Sequence, residues 1–400
     1  MIVVFPSYIF IYEYTFLVKN YITGGIALIT VNVANAFQRD GHSVTFVCFN
    51  PPEKNVLELL DERIRFYTLG RFSCSSHNVR KLRSILIEHC IEVAVNHWGL
   101  PFIPLLTLRK AARGLNIKIA SSYYNNPEKN NRIVPLNNKL KQTKGIARLP
   151  IMLKHYAARI ITGLSMHYNY VFSDRYVLMS DSFTPLMKKF AYISDTSKIV
   201  GIPSPLTRHY SDYTYNFNEK NKEVIYVGRL ENTQKRVDLS LDVWVLCQRK
   251  FPDWKFTIVG DGPDRKKLEE KVANENIVGV TFEGKQDPTP YYKRSSVLLL
   301  TSEYEGFAAV LTECMSFGVV PVAYGSYISV YDIITTGKDG FILPYNKTGL
   351  DVAAMAQVLI KTISDKEKLK KMARTAMESC KKFSIDKVYP MWRDMIVNLK

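Results

Sequence analysis

No two cysteines stand in a C-x-x-C pair. The six in the chain, Cys48, Cys74, Cys90, Cys247, Cys314 and Cys380, are scattered over its length. That spacing excludes a zinc ribbon and a disulfide framework, and it fits a reduced, cytoplasmic protein. A long apolar leader is also missing. The apolar start from Met1 to Phe10 is short, meets Glu13 and Lys19, and has no basic flank, which argues against a signal peptide or a membrane anchor. Neither zinc-finger spacing nor an aromatic RNA-binding signature occurs, so nucleic acid is not an expected partner. Finally, acid is absent from one whole region, since no Asp or Glu lies between Lys129 and Ser173. That region holds Lys129, Arg132, Lys139, Lys141, Lys144, Arg148, Lys154 and Arg159, interleaved with Ile146, Leu149, Ile151, Met152, Leu153, Tyr156, Ile160 and Ile161. A basic amphipathic segment of this kind suits either a solvated helix on its own domain or a face resting on anionic lipid.

Four hundred residues exceed one ordinary core and imply two domains. A hydrophobic content of 46% with 23% charged residues is that of a globular protein. The formal net charge of +17 points to anionic partners, namely a phosphorylated substrate or an anionic membrane surface.

The most informative stretch is Thr301 to Gly318, TSEYEGFAAVLTECMSFG. The run Val297–Leu300 before it predicts a buried parallel strand. Glu305-Gly306-Phe307 then forms a turn, and a helix begins near Ala308 with no breaker before Gly318. Free amides and the positive dipole end of that helix favour phosphate. Glu305 in the loop and Glu313 on the helix can face one crevice, where carboxylates accept hydrogen bonds from sugar hydroxyls. The combination suits a sugar nucleotide, although a Glu early in a helix also serves the dipole.

Elsewhere the pattern alternates strand and helix. Ile2–Phe5 predicts a first strand, Gly24-Gly25 a loop, Ile26–Gln38 a helix and Val44–Val47 a second strand. Glu92–Asn96 is a strand ending at His97, and Ile117–Ala120 a strand running into Ser121–Pro127. A His at the carboxyl end of a parallel strand faces a ligand crevice, or else packs in a loop. Ile202-Pro-Ser-Pro-Leu206 predicts a stiff hinge. The second half opens with the strand Glu223–Val227 and continues through Gly228-Arg229-Leu230 to Lys235. Two cations at a strand end bind a diphosphate by charge-assisted hydrogen bonds.

The stretch from Ser302 to Val322 resembles the E-x7-E signature of the retaining glycosyltransferases of family four, which have the two-domain glycosyltransferase-B fold. V-G-R-L with Q-K-R resembles that family's Arg/Lys pair, Gly260-Asp-Gly-Pro263 its G-D-G-P loop, and Ile202–Leu206 its I-P-N-P-L link, with Ser204 in place of Asn. Gly284-Lys285 is similar to the loop near its nucleotide base, and Gly24-Gly25 to its amino-terminal phosphate loop. Where relatives often carry His before Asn-Asn-Pro, this chain has Tyr124.

The resemblance implies an α/β protein of two doubly wound Rossmann-like domains facing across a cleft. Residues 1–203 would bind the acceptor, 204–383 would bind the nucleotide sugar, and the helix in 384–400 would cross back to the first domain. Glu305, Arg229 and Lys235 are the expected catalytic set. Gly25, Glu313, Gly306, Phe307, Ala308, Ala309, Leu311, Gly284 and Lys285 are expected at the donor, with His97 and Tyr124 on the acceptor side. The expected activity is retaining transfer of a hexosyl unit from a nucleoside diphosphate sugar, a UDP-sugar first, to a bacterial surface glycan or lipid-linked acceptor. It would need no metal and no cofactor, as the absence of a D-x-D triplet agrees. The protein would be cytoplasmic and peripheral, its Lys129–Arg159 span on an anionic membrane. The alternatives are a sugar-nucleotide 2-epimerase of the same architecture and a catalytically silent, binding-only relative.

Overall fold

The computed structural model describes residues 13–18, 25–51, 57–130, 132–207 and 214–399, with the side chains of Glu13 and Val18 outside the description. Ile2–Phe5 and Gly24 therefore lie outside the described residues. Two compact units form. One comprises Met1–Tyr124, Arg159–Pro205 and Val388–Lys400; the other comprises Asn125–Ala158 and Leu206–Lys387.

The first unit holds seven parallel strands: β1 (Glu13–Val18), β2 (Ser43–Cys48), β3 (Arg65–Thr68), β4 (Val93–Asn96), β5 (Lys118–Tyr123), β6 (Arg175–Leu178) and β7 (Ile199–Gly201). Their order in the sheet is β3-β2-β1-β4-β5-β6-β7. Successive side chains of a strand leave on opposite faces, and both faces of this sheet are covered. Phe16, Phe46, Val95 and Ala120 enter one core, with Val31, Ala34 and Phe37 of the helix Gly25–Arg39. Leu17, Val47, Ala94 and Ile119 enter the other, with Leu82, Ile85 and Leu86 of the helix Ser76–Glu88 and Leu105 and Leu108 of the helix Phe102–Ala111. This is why the strands read as apolar runs and not as alternating ones. The first core also takes Val388, Trp392, Met395, Ile396 and Leu399 from the end of the chain.

The second unit holds six parallel strands: β8 (Glu223–Val227), β9 (Lys255–Val259), β10 (Val280–Gly284), β11 (Val297–Leu300), β12 (Val320–Gly325) and β13 (Phe341–Pro344). Their order is β10-β9-β8-β11-β12-β13. In a doubly wound sheet the strand order reverses at one point, and ligands bind outside the carboxyl ends of the strands there. In the second unit that point lies between β8 and β11, and in the first between β1 and β4.

Several elements differ from the sequence expectation. The strand before Gly25 is Glu13–Val18, which the sequence pattern did not assign. β3, four half-buried residues at the sheet edge, had no counterpart in the sequence pattern. The first unit is not the continuous stretch 1–203, because Asn125–Ala158 groups with the second. The basic span was expected as a face of the first domain, yet up to Ala158 it belongs to the second unit. It forms the helix Val134–Gln142 and the start of the helix Arg148–Val171. No helix among the described residues is long and apolar enough to cross a membrane.

Candidate functional site

Pairing of β11 with β8, Val297 opposite Val224 and Leu298 opposite Ile225, brings two carboxyl-end loops together. The chain leaving β8 runs through Arg229 to Lys235, and the chain leaving β11 runs from Thr301 to Ala308. Lys235 Nζ donates to Glu305 Oε1 at 2.6 Å, with side chains only 17% and 7% exposed. The same carboxylate accepts from Ser302 Oγ at 2.7 Å and from Gln234 Nε2 at 3.3 Å. The loops are also tied through their backbones. Glu303 N donates to Gln234 O at 2.7 Å, and Thr301 Oγ1 to Arg236 O at 2.7 Å. Ser329 Oγ holds the Gly306 carbonyl at 2.6 Å. A buried charge so fully satisfied is held in one geometry, as a reacting centre requires.

Arg229 stands at the same strand end but faces outward. Its guanidinium donates to Glu231 at 2.7 Å and stays half-exposed. Lys235 and Glu305 are thus brought together, while Arg229 is adjacent to them in the loop and open to solvent. Ala308 takes a left-handed conformation, φ 51°, just before the helix Ala309–Ser316. A non-glycine residue held there costs on the order of 1 kcal/mol or more, and such strain gathers at functional sites. The Leu311 amide donates to the Ala308 carbonyl at 2.8 Å and its side chain is buried, so Leu311 offers neither group to a ligand in this conformation. Gly306, Phe307 and Ala308 are buried, and Ala309 is half-buried.

Glu313 has hydrogen-bond partners different from those of Glu305. Its carboxylate accepts from Thr207 Oγ1 and, at 3.0 Å, from Tyr292 Oη. Gly284 closes β10 and Lys285 after it is exposed. The glycine that opens the G-D-G-P loop has a backbone reason. Gly260 N donates to Gly284 O at 2.8 Å, and a Cβ on Gly260 would lie 1.9 Å from the Gly228 carbonyl oxygen. Backbone meets backbone there, and only glycine leaves room.

In the first unit, Gly25 opens the helix Gly25–Arg39 and is exposed, with open space where a Cβ would stand. His97 follows β4 and is completely buried, between the rings of Phe16 (centroids 5.1 Å), Trp392 (5.6 Å) and Tyr124 (5.7 Å). Its Nδ1 is hydrogen-bonded to Tyr124 Oη. Burial lowers the His97 pKa to about 3, so the imidazole is neutral near pH 7. Burial likewise raises the Tyr124 phenol well above its usual value. The structure therefore brings the two acceptor-side candidates together, but only Tyr124 keeps exposed surface. Among the described residues no group of three His, Cys, Asp or Glu is arranged to hold a metal ion.

The second unit matches the model of glycosyl transferases group 1 over residues 212–379, and residues 23–175 match the model of glycosyltransferase family 4. The chain is a family 4 glycosyltransferase. The transferase is 25% identical over 393 residues to an uncharacterized glycosyltransferase of Haemophilus influenzae, covering 93% of this chain and 96% of that one. It is 30% identical over 183 residues to an α-1,4-N-acetyl-D-galactosaminyltransferase of Campylobacter jejuni, whose named acceptor is an undecaprenol-diphosphate-linked glycan. That match spans 46% of this chain and half of the relative. Among solved structures, Anabaena HepE in complex with UDP and glucose superposes with a TM-score of 0.72, at 14% identity, over 97% of this chain and all of that one. The likeness shows the glycosyltransferase-B fold.

Sequence reasoning assigned no role to Gln234 or Ser302, although both stand inside quoted motifs and complete the shell around Glu305. It also missed Thr207 and Tyr292, and it placed Lys129 in the basic span without foreseeing its contacts. Lys129 Nζ donates to the carbonyls of Glu303 and Ser326, at 3.2 Å each. No local signal marks these, because their partners lie far along the chain.

Proposed function

We propose that the transferase moves a hexosyl unit, with retention of anomeric configuration, from a UDP-sugar to a bacterial surface glycan, without a metal. The observation that carries this is the buried Lys235–Glu305 pair at the order reversal of the second sheet, beside the amino end of the helix Ala309–Ser316. Lys235, the helix end and the half-exposed Arg229 supply positive charge where a departing diphosphate gains negative charge. Glu305 accepts hydroxyls of the transferred sugar, and Glu313 the ribose. Gly25, on the first unit, stands at the other reversal point, and Tyr124 offers its phenol to the acceptor. The names of the Campylobacter relative and of the UDP-bound Anabaena enzyme support a UDP-sugar and a lipid-linked glycan.

The test is a panel of UDP-, GDP- and ADP-sugars, with the anomeric configuration of the product read by proton NMR. Transfer with inversion, or an isomerised nucleotide and no transfer, rejects the proposal. Arg229→Ala is expected to weaken UDP binding by about 1.5–3 kcal/mol, the range for charged hydrogen bonds. Unchanged UDP affinity by calorimetry removes Arg229 from the site.

A lipid-linked acceptor calls for a membrane surface. Ile146 (85% exposed), Leu149, Met152, Leu153 and Tyr156 present an uncovered apolar face, with Lys144 and Lys154 beside it and no acid in the region. Binding to anionic vesicles is expected to fall steeply as salt rises. Equal binding to neutral vesicles removes the electrostatic part of the proposal.

A further inference from the structure

A second cavity-lining group lies in the same unit, apart from the Lys235–Glu305 pair. The helix Val134–Gln142 and the residues after it, with Glu303 and Tyr345, line an open pocket of about 350 Å³. That is the lower end of the range for small-ligand sites. Three cations line it, Lys129, Lys141 and Arg148, against one acid, Glu303.

The charges do not balance. Lys129 is already committed. Its ammonium sits 3.6 Å from the Glu303 carboxylate, donates to two carbonyls and lies 5.1 Å from the centre of the Tyr345 ring. Lys129 and Glu303 thus cancel. Lys141 and Arg148 stand exposed at the rim of the pocket, and neither has an acidic partner among the described residues. Lys141 also acts on Lys129, where its repulsion adds to the burial that lowers the Lys129 pKa. Asn137 and Asn138 also line the pocket, and an asparagine amide can donate hydrogen bonds. Two cations without acidic partners and two asparagines match one doubly charged tetraoxo anion.

We propose that this pocket binds a phosphate group carried by the acceptor. The assignment to the acceptor rests on the proposed function, because Glu303 is two residues from Glu305 and the donor's own diphosphate is accounted for there. A phosphate held by Lys141 and Arg148 would anchor the acceptor beside the transferred sugar. It would also offset the repulsion between Lys141 and Lys129.

The experiment is calorimetric titration of the full chain, saturated with UDP, with glycerol phosphate as the probe. Wild type is expected to bind it. Lys141→Gln and Arg148→Gln are each expected to weaken it on the order of tenfold, and the double variant more. UDP affinity, measured in the same variants, should stay within about twofold, because neither side chain belongs to the donor site. Lys154→Gln, a cation on the exposed face outside the pocket, should leave probe binding unchanged. An equal loss in Lys154→Gln means that surface charge alone attracts the probe, and overturns the pocket. Binding to phosphatidylglycerol vesicles without binding of soluble glycerol phosphate does so too, since a bilayer would then be the source of phosphate. If UDP does not bind but the probe does and the double variant loses it, the site stands and the functional reading fails.

Discussion

Lys235→Ala is expected to lower the melting temperature on the order of 10 °C and to reduce turnover at least about a hundredfold. The two effects have different causes. Removing the ammonium leaves the Glu305 carboxylate buried with Ser302 and Gln234 as its donors among the described residues. Breaking a buried pair from one side costs about 3–5 kcal/mol, because the remaining charge keeps its desolvation penalty. A double variant, Lys235→Met with Glu305→Gln, removes both charges and should recover most of the stability. It should not recover turnover, because the charge that stabilises the departing diphosphate is gone. Thermal melts and single-turnover kinetics on the same three proteins separate the two. If the double variant regains activity together with stability, the pair is structural and the catalytic assignment fails.

The two glutamates should divide in the same kinetics. Glu305→Gln is expected to lower kcat more than donor affinity, because the sugar shifts as its bond to phosphate lengthens. Glu313→Gln is expected mainly to weaken nucleotide binding. Its carboxylate is already oriented by Tyr292 and Thr207, so the substitution keeps the shape and removes the charge. Loss of turnover alone in Glu313→Gln, with full turnover in Glu305→Gln, would reverse the roles.

Removal of residues 388–400 should unfold the first unit while the second stays folded. Val388, Trp392, Met395, Ile396 and Leu399 are buried in the same core as Tyr14, Phe16 and Phe37. Tyr389 adds an edge contact to Phe37, centroids 4.9 Å apart, and a hydrogen bond to Asp40. Trp392→Ala alone should cost about 3–5 kcal/mol by the cavity it leaves. Losing five such side chains exceeds the whole stability of an ordinary domain, about 5–15 kcal/mol. Limited proteolysis followed by mass spectrometry should find cuts throughout the first unit and protected fragments spanning 125–158 and 214–387, the two stretches of the second unit. Protection of both units after truncation would mean that the terminal helix only decorates the core.

Much of the second unit could be read from sequence because its signals are local. The run Val297–Leu300 is apolar throughout because both faces of that strand are covered, and it appears as β11 with the same limits. The helix after Ala308, the glycines of the G-R-L and G-D-G-P loops, and the strand Glu223–Val227 follow from propensity and turn chemistry over a few residues. In the first unit the signal was weaker. β3 is a short, half-buried edge strand with no run to announce it, and the helices Ser76–Glu88 and Phe102–Ala111 went unassigned between clearer motifs.

The sequence by itself determined the kind of element at each motif, the α/β class and the set of charged residues available for chemistry. Tertiary structure decided which of them meet. Lys235 and Glu305 are seventy residues apart and pair only because β11 hydrogen-bonds to β8. From sequence, His97 could either face a ligand at its strand end or pack in a loop. It is enclosed by Phe16, Tyr124 and Trp392, the last of which arrives from the end of the chain. The basic stretch after Tyr124 showed its charge and its amphipathic period, but not that its first part would line a pocket with Glu303 and Tyr345. The physical reason is the same in each case. Backbone propensity and burial pattern act over a few residues, whereas strand order is settled by which edges find one another when the sheet forms.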